Sequence, residues 1–350
     1  MNKFEHLSRL VGDTPLLAVK CLYKGEPRTV YAKYEALSFS GSIKDRVALY
    51  ILRKAYESGA VNENSIIAEA TSGNTGIAFS AAGAYLGNKV RIYMPDWMSV
   101  ERINLMKSYG ADIRLVSKEE GGFLGSIAMT ERLAEENPLV FLPGQFSNED
   151  NCNAHFDTTG VEIIEQLSQI GKVADAVVAG VGTGGTVMGI GRRLRTVNPD
   201  AKLFPLEPLN SPTLSTGYKV GSHRIQGISD EFIPAIMKLD ECDGVVSVDD
   251  IDSIIMAQML SRKLGISVGI SSGANFLGSL MAGDRIGGDK TVVTVFADDN
   301  KKYLSTDYCS EFEVKDGYMT KNIELISVET VGRCSSLRYY ELIAANCVTY

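Results

Sequence analysis

Apolar residues along the chain fall into two kinds of segment, short continuous runs and longer stretches with helical spacing. Continuous runs are typical of strands buried in a parallel sheet, and recurrence at i, i+3 and i+4 is typical of helices. In the first half of the chain the pattern predicts strands at 65–70, 90–94, 112–116 and 139–142, and helices at 77–86, 100–109 and 123–134. This alternation favours a parallel sheet covered by helices.

The second half of the chain repeats the alternation. It predicts strands at 176–181, 202–206, 245–248 and 291–296, and helices at 160–170, 187–194 and up to residue 264, the last capped by Asp249 or Asp250. The pattern indicates two α/β lobes that meet near residue 150, with a ligand cleft between them. It stops near Cys309, so we expect residues 309–350 to form an appended hairpin, a lid, a dimer-contact arm or a tail without a catalytic role.

Composition narrows the class of protein. The chain has 350 residues, 45% of them hydrophobic, and a net charge of −8, which disfavours a general nucleic-acid or anionic-membrane binder. No apolar run approaches the roughly 20 residues that span a bilayer, and the N-terminal residues lack a signal-peptide core. Six cysteines without a C-x-x-C pair and three separated histidines predict no metal site and free thiols. We therefore expect a cytoplasmic protein without nucleic-acid or membrane partners.

A glycine-rich segment, residues 180–186 (GVGTGGT), follows an apolar strand and opens a helix. Backbone N–H groups at a helix N-terminus and nearby hydroxyls bind anions, so the segment predicts a phosphate site. The donors are the N–H groups of Gly182, Thr183, Gly184 and Gly185 and the hydroxyls of Thr183 and Thr186. The same residues also match G-x-G-x-x-G, with Glu207 after the next strand, and this alternative favours an NAD-dependent dehydrogenase.

A second polar segment, residues 71–76 (TSGNTG), also follows a strand and opens a helix. Its hydroxyls, amide and N–H groups suit a carboxylate, such as the α-carboxylate of an amino acid. The Asn74 side chain can also hold a phenolic or carbonyl oxygen. The alternative interpretation is an ordinary polar turn with an N-cap.

The third segment, residues 40–46 (SGSIKDR), places Lys44 in the first turn of a helix. A charged lysine there opposes the helix dipole, and a Schiff base to an aldehyde cofactor would remove the conflict; the alternative is a solvated lysine. A lysine, a phosphate site, a carboxylate loop and an asparagine are together what pyridoxal 5′-phosphate (PLP) needs. A dehydrogenase would leave Lys44 and the TSGNTG loop unexplained.

The sequence resembles the cysteine synthase / cystathionine β-synthase family, the fold type II PLP enzymes. The matching motifs follow the family order over about residues 8–306: GDTPLL (12–17), KYEALSFSGSIKDR (33–46), EATSGNTGIA (69–78), QFSNEDNCNAHFDTTGVEI (145–163), GVGTGGT (180–186), LEPLNSP (206–212), QGISDEFIP (226–234), GISSGA (269–274) and KKYLST (301–306). The resemblance implies a two-lobed α/β fold in which each lobe is a mostly parallel twisted sheet flanked by helices. It implies a large PLP-binding lobe (1–42 plus 151–308), a smaller mobile lobe (43–150) and a homodimer.

The resemblance also implies roles for individual residues. Lys44 resembles the Schiff-base lysine that carries the Cα proton, Asn74 the residue at the pyridoxal 3′-oxygen, and Ser271 the serine facing the pyridine nitrogen. The substrate-carboxylate site corresponds to Thr71, Ser72, Gly73, Asn74, Thr75 and Gln145, and the phosphate site to Gly182, Thr183, Gly184, Gly185 and Thr186. For Ser271 alone, the alternative is a helix N-cap. A serine makes the ring a milder electron sink than a carboxylate would, and the family uses it for β-elimination to an aminoacrylate and addition at Cβ.

Departures from the family pattern refine the prediction. Phe39 replaces a proline beside the cofactor lysine, and we assign no role to Asp298 and Asp299. The family's uncharged GIGAGFIP reads GISDEFIP here, which adds Asp230 and Glu231; the related cystathionine synthases also carry an acid matching Glu231. Water, unlike sulfide, needs a base to become a nucleophile, so Asp230 is the candidate general base, the alternative being a solvated loop acid.

The sequence therefore predicts PLP-dependent β-elimination or β-replacement on a cysteine- or serine-type amino acid. The preferred form converts L-cysteine and water to hydrogen sulfide and L-serine, with Asp230 in contact with substrate and activating the water. The alternatives are a cysteine synthase (O-acetylserine plus sulfide) and a synthase that joins an activated serine to an amino-acid nucleophile. A dehydrogenase and a PLP-fold protein without turnover are alternatives from other classes.

Overall fold

The computed structural model describes residues 3–229 and 231–334. The strands in this part of the chain, in order, are β1 (Leu16–Tyr23), β2 (Glu26–Tyr34), β3 (Ile66–Ala70), β4 (Lys89–Pro95), β5 (Asp112–Val116), β6 (Val140–Phe141), β7 (Ala176–Gly180), β8 (Lys202–Pro208), β9 (Val246–Val248), β10 (Val292–Phe296) and β11 (Ile323–Gly332). The α-helices are α1 (Lys3–Leu7), α2 (Lys44–Glu57), α3 (Asn74–Leu86), α4 (Val100–Ser108), α5 (Gly122–Glu136), α6 (Asp150–Ala154), α7 (Gly160–Ser168), α8 (Gly185–Arg195), α9 (Thr213–Thr216), α10 (Asp250–Leu264) and α11 (Ile270–Ile286).

A four-stranded sheet has the order β5-β4-β3-β6, and all of its pairings are parallel. Its strands are rich in buried apolar residues, such as Ile67 of β3 and Ile92 of β4. These side chains pack with Leu52 of α2 and Phe79 of α3 in one apolar cluster. Burial of continuous apolar strands under helices is the reason that the predicted short runs form a parallel sheet.

A seven-stranded sheet has the order β11-β1-β2-β10-β7-β8-β9. The pairings of β10 with β2 and β7, and of β8 with β7 and β9, are parallel, whereas β1 pairs antiparallel with β2 and β11. Both faces are covered, because Ala176 and Val178 of β7 belong to one apolar cluster and Val177 and Ala179 to another. The predicted fold class, mostly parallel twisted sheets flanked by helices, is confirmed; the lobe boundaries stay predictions.

The C-terminal segment adds an edge strand to the large sheet. Strand β11 runs antiparallel to β1, from the pair Leu16 and Gly332 to the pair Tyr23 and Ile323. Ile323 and Leu325 are buried in the core. The described part of 309–350 therefore extends the sheet, and residues 335–350 lie outside the described residues. In residues 3–229 and 231–334, no helix combines the length and apolar character that crossing a membrane requires.

Candidate active site

Four α-helices begin at one pocket that lies between elements of the two sheets. Lys44 starts α2, Asn74 starts α3, Gly184 precedes α8, and Ser271 lies in the first turn of α11; all four residues line the pocket. Helix N-termini carry a partial positive charge and free N–H donors. The convergence therefore makes this pocket favourable for anions.

The two anion-binding loops follow strands of different sheets. Residues 71–73 connect β3 to α3, and residues 181–184 connect β7 to α8. Loops at the carboxyl ends of parallel strands form the usual ligand site of α/β proteins. Gly184 turns the second loop into its helix with a left-handed φ of 88°, which a side chain would disfavour.

The predicted substrate-carboxylate residues lie together. Thr75 donates its hydroxyl to Gln145 Oε1 over 2.6 Å, although the two are 70 residues apart in sequence. Gln145 in turn donates to the Ala70 carbonyl over 3.0 Å. Thr71, Ser72 and Gly73, with Thr75 and Gln145, line the pocket.

The predicted phosphate residues form the opposite loop. Gly182, Thr183, Gly184 and Thr186 line the pocket. Gly185 does not, and its N–H instead donates to Thr183 Oγ1 over 3.3 Å. Thr183 Oγ1 also accepts from Asn151 over 2.9 Å. These contacts fix the Thr183 hydroxyl at the helix start, where an anion would lie.

His155 supports the other hydroxyl and was missed by the sequence analysis. It lies in a π-helical turn, with Nε2 3.3 Å from Thr186 Oγ1 and Nδ1 2.9 Å from Thr159 Oγ1. Burial, together with the positive charges of Lys44 and Arg46, holds the pKa of His155 well below its ordinary value of 6.5. The imidazole is therefore neutral, and no sequence motif marks a histidine that acts only through its neighbour.

The first turn of α2 is held in place by backbone contacts. Ile43 N–H donates to Ala297 O over 2.9 Å, and Ser42 forms an isolated bridge with Asp298. Asp45 accepts from the Ser40 N–H over 2.8 Å and from its hydroxyl. The segment that carries Lys44 is thus attached to the end of β10.

Asp298, to which the sequence analysis gave no role, lies directly behind Asn74. The Asn74 side-chain amide donates to Asp298 Oδ2 over 2.7 Å, and the Tyr303 hydroxyl donates to the same oxygen over 2.7 Å. Asp298 is fully buried. The carboxylate fixes the Asn74 amide at the pocket wall.

Residues 226–228 line the pocket. The following residue, Ser229, has a φ of 56°, at a position where the resembled family has glycine. Its N–H donates to Val181 O over 2.7 Å, and its carbonyl accepts from His223 Nε2 at 3.2 Å. Asp230 lies outside the described residues. Glu231 is exposed and pairs with Lys219 at 3.3 Å.

Comparison with known proteins identifies the family. The model of the family described as "Pyridoxal-phosphate dependent enzyme" matches residues 7–298. The chain belongs to the pyridoxal-phosphate dependent enzymes. The predicted cofactor is thus confirmed, and the dinucleotide interpretation of residues 180–185 is set aside.

Relatives of this PLP-dependent enzyme are of the cysteine synthase and hydrogen sulfide-producing type. A probable cysteine synthase of Bacillus subtilis is 42% identical over 301 residues, which are 86% of this chain and 96% of that protein. A hydrogen sulfide-producing enzyme of Fusobacterium nucleatum is 56% identical, with a TM-score of 0.91 over 94% of this chain and 99% of that one. An aspartate-to-asparagine variant of a hydrogen sulfide-producing enzyme, in complex with an α-aminoacrylate intermediate, is also 56% identical, with a TM-score of 0.92 over the same shares.

The pocket of this PLP-dependent enzyme fits the cofactor. It offers a lysine amine, helix N–H groups and hydroxyls for a phosphate, and the Ser271 hydroxyl. The Oδ1 atom of Asn74 is buried without a hydrogen-bond partner in the described part of the chain, as expected of a residue that meets a polar ligand. The residues that would hold PLP are Lys44, Asn74, Ser271 and the loop 182–186.

The same pocket also contains a cation that the sequence did not indicate. Arg102, on α4, lines the pocket and is 2% exposed. An arginine inside an ordinary amphipathic helix carries no sequence signal of burial. Only the packing of α4 against residues far along the chain shows that it faces the site.

Proposed function

We propose that the enzyme converts L-cysteine and water to hydrogen sulfide and L-serine, with Asp230 as the general base that activates the water. The observation that carries the proposal is the position of the segment 226–228 in the pocket wall. Gln226, Gly227 and Ile228 line the pocket, and Asp230 follows Ser229 in the sequence. An acid in this loop replaces a small uncharged residue of the resembled family.

The remaining pocket residues supply binding and proton transfer. When bound, PLP supplies an electron sink that makes the Cα proton of an amino acid removable and allows the β-substituent to leave. Lys44 takes and returns that proton. Residues 71–75 and Gln145 hold the α-carboxylate, residues 182–186 hold the phosphate, Asn74 binds the 3′-oxygen, and Ser271 faces the pyridine nitrogen.

The choice of nucleophile decides whether a base is needed. Hydrosulfide attacks Cβ without assistance, whereas a water molecule must lose a proton as its bond to Cβ forms. The Fusobacterium-type relative supports this assignment, since its aspartate-to-asparagine variant was obtained with α-aminoacrylate. That species accumulates when the step that consumes it is slow.

The test compares Asp230→Asn with the unchanged enzyme, measuring sulfide and L-serine from L-cysteine. We expect steady-state turnover to fall at least about 100-fold, the usual contribution of a general base. One equivalent of sulfide per active site should still appear in the first turnover. Glu231→Gln, at the neighbouring exposed acid, is the matched control and should keep full turnover. Unchanged turnover in Asp230→Asn would rule out the proposed base.

A cysteine synthase is the second candidate, because the Bacillus relative carries that description. Hydrosulfide needs no base, so Asp230→Asn should still make L-cysteine from O-acetyl-L-serine and sulfide. If the unchanged enzyme catalyses this synthesis with a much higher kcat/KM than sulfide release from L-cysteine, synthesis is its function.

We also propose, from the family resemblance, that the enzyme is a cytoplasmic homodimer in which residues 43–150 move relative to 1–42 plus 151–308. Light scattering on the purified protein tests the dimer. A mass equal to one chain would contradict it. Hydrogen exchange with and without substrate tests the movement, and protection confined to the pocket loops would argue against a mobile lobe.

A further inference from the structure

Arg102 is a buried cation in the wall of the active-site pocket. It lies in the first turn of α4 and is 2% exposed. In the described part of the chain, no carboxylate oxygen lies within 4.0 Å of a guanidinium nitrogen of Arg102. A buried cation is stabilised by negative charge placed close to it, so the Arg102 site is suited to an anion that comes with the reaction.

Arg102 is held by two hydrogen bonds and one ring contact. Its Nη1 donates to Gln226 Oε1 and, over 3.3 Å, to Ser99 Oγ. The guanidinium carbon lies 4.6 Å from the centre of the Tyr303 ring. All three partners are neutral. The Nε atom is buried without any acceptor in residues 3–229 and 231–334.

Arg102 also packs directly beneath the substrate loop. A Cβ atom placed on Gly73 would lie 2.6 Å from both Cδ and Nε of Arg102. A side chain at Gly73 would therefore force Arg102 to move. Arg102 and Gly73 form one surface of the pocket.

The proposed reaction involves three anions: the cofactor phosphate, the substrate carboxylate and the leaving group. Each can be assigned to a part of the pocket that offers positive charge or N–H donors. The cofactor phosphate has the loop before α8, and the substrate carboxylate has the loop before α3 with Gln145. Arg102 belongs to neither set. The third anion is the leaving group: Lys44 receives the Cα proton, a Cα–Cβ double bond forms, and the C–S bond breaks with its electron pair on sulfur, giving hydrosulfide.

A second cavity of about 340 Å³ adjoins this wall. It shares Ser72, Gln226, Gly227 and Ile228 with the pocket. Gln226, the hydrogen-bond partner of Arg102, thus lies between the two spaces.

We propose that Arg102 stabilises the hydrosulfide anion as it leaves Cβ, and so favours substrates whose β-leaving group is strongly basic. A fixed positive charge in a pocket sheltered from water is effective where negative charge develops in the transition state. The inference rests on the proposed function, because it assigns the sulfide of L-cysteine as the leaving group.

The test compares two substrates that differ only in the leaving group, L-cysteine and β-chloro-L-alanine. Chloride is a far weaker base than hydrosulfide and needs little stabilisation, while the α-carboxylate and amine are the same. We expect Arg102→Met to lower kcat/KM for both substrates, but the loss for L-cysteine should be at least about 30-fold larger than the loss for β-chloro-L-alanine. For Arg102→Lys, the difference between the two losses should lie between that of Arg102→Met and that of the unchanged enzyme. kcat/KM is the readout because it covers the steps up to departure of the leaving group.

A binding measurement provides a readout other than turnover. Calorimetric titration of the resting holoenzyme with hydrosulfide should show a dissociation constant at least about tenfold weaker in Arg102→Met. The visible absorbance of the bound cofactor should be unchanged, which shows that the fold and cofactor site are intact. Arg91→Met removes an exposed arginine that pairs with Asp112 and is the matched control.

Equal losses with both substrates would overturn the inference and assign Arg102 to the common carboxylate or to folding. Unchanged hydrosulfide affinity would also overturn it. A failure of the proposed function can be distinguished from a failure of this inference. In that case the unchanged enzyme itself would form neither sulfide nor L-serine from L-cysteine.

Discussion

Arg46 and Glu162 form an ion pair in the protein interior, with 2.6 Å between Nη1 and Oε1. Glu35 accepts from Arg46 Nε at 2.7 Å, and Lys33 lies 2.6 Å from Glu162 Oε2. Two cations and two carboxylates thus neutralise one another, and the nearby positive charges hold the pKa of Glu162 well below its ordinary value despite its burial. Since α2 begins at Lys44, the proposed Schiff-base lysine, the cluster attaches the first turn of this helix to β2 and α7.

Glu162→Gln should therefore lower the free energy of unfolding by about 3–5 kcal/mol, because it leaves Glu35 as the one carboxylate for the two buried cations Lys33 and Arg46. Urea unfolding at pH 7 measures the change, with the exposed Glu135→Gln as control. The lowered pKa means that this stabilisation is present above the ordinary glutamate pKa of 4.5 and is lost as pH falls below it. A loss under about 1 kcal/mol at pH 7 would contradict the assigned role of the pair.

Asp298→Ala should weaken cofactor binding, because Asn74 loses the carboxylate that fixes its amide. A hydrogen bond to a charged group contributes about 1.5–3 kcal/mol, so we expect a dissociation constant for PLP at least about tenfold higher. Fluorescence titration of the apoprotein with PLP measures it. Asp289→Asn, at an exposed loop position, is the control; equal affinities in all three proteins would show that Asp298 has no such role.

Much of the fold could be predicted from sequence because buried parallel strands and amphipathic helices leave clear patterns. Asp249, for example, caps α10 as one of the two predicted candidates, accepting from Ile251 and Asp252 N–H groups. The β1–β2 hairpin was missed because its turn at Lys24 and Gly25, both with positive φ, lacks the usual Asn-Gly or Asp-Gly signal. Helix α11 was missed because almost all of its first three turns are buried, which removes the polar face that periodicity requires.

The loop residues of the site could be predicted because each loop carries its chemistry in consecutive residues. All the substrate-loop residues and Gln145 lie at the pocket. Supporting residues such as His155, Arg102 and Asp298 could not be predicted, since their roles depend on contacts between segments more than 30 residues apart. Ser271 lies in the first turn of its helix, and Gly269 occupies the N-cap position that was the alternative for the serine.

His155 should give the folding stability a pH dependence. Its pKa is lowered in the folded protein, so the unfolded chain binds more protons below about pH 6.5 and the stabilisation present above that pH is lost as pH falls. From pH 6.5 to 5.5 this contribution amounts to about 1 kcal/mol. His155→Gln should remove this pH dependence. The free energy of unfolding, measured with urea, should therefore differ less between the variant and the unchanged protein at pH 5.5 than at pH 6.5, by about 1 kcal/mol. A constant difference would contradict a buried neutral imidazole; His6→Gln, at an exposed position, is the control.

Glu69 should make substrate binding sensitive to pH above neutrality. The residue is the next-to-last of β3, two positions before the TSGNTG loop. Its Oε1 accepts from the Ala70 N–H at 2.9 Å, and burial raises its pKa to about 8. It is neutral at pH 7, and above pH 8 its ionisation places a negative charge next to the loop that we propose holds the substrate carboxylate.

The KM for an amino-acid substrate should therefore rise at least about threefold more between pH 8 and 9 in the unchanged enzyme than in Glu69→Gln, which cannot ionise. A carboxyl whose folded pKa is raised loses stabilisation as pH increases from about 4.5 to 8, so Glu69→Gln should also be the more stable protein at pH 8. Steady-state kinetics with β-chloro-L-alanine and urea unfolding at both pH values measure the two effects. Glu63→Gln, in the exposed loop before β3, controls for loss of a surface charge. Parallel KM profiles in the enzyme and Glu69→Gln would show that the carboxyl does not ionise in this range, because an ionised group in that position cannot leave carboxylate binding unchanged.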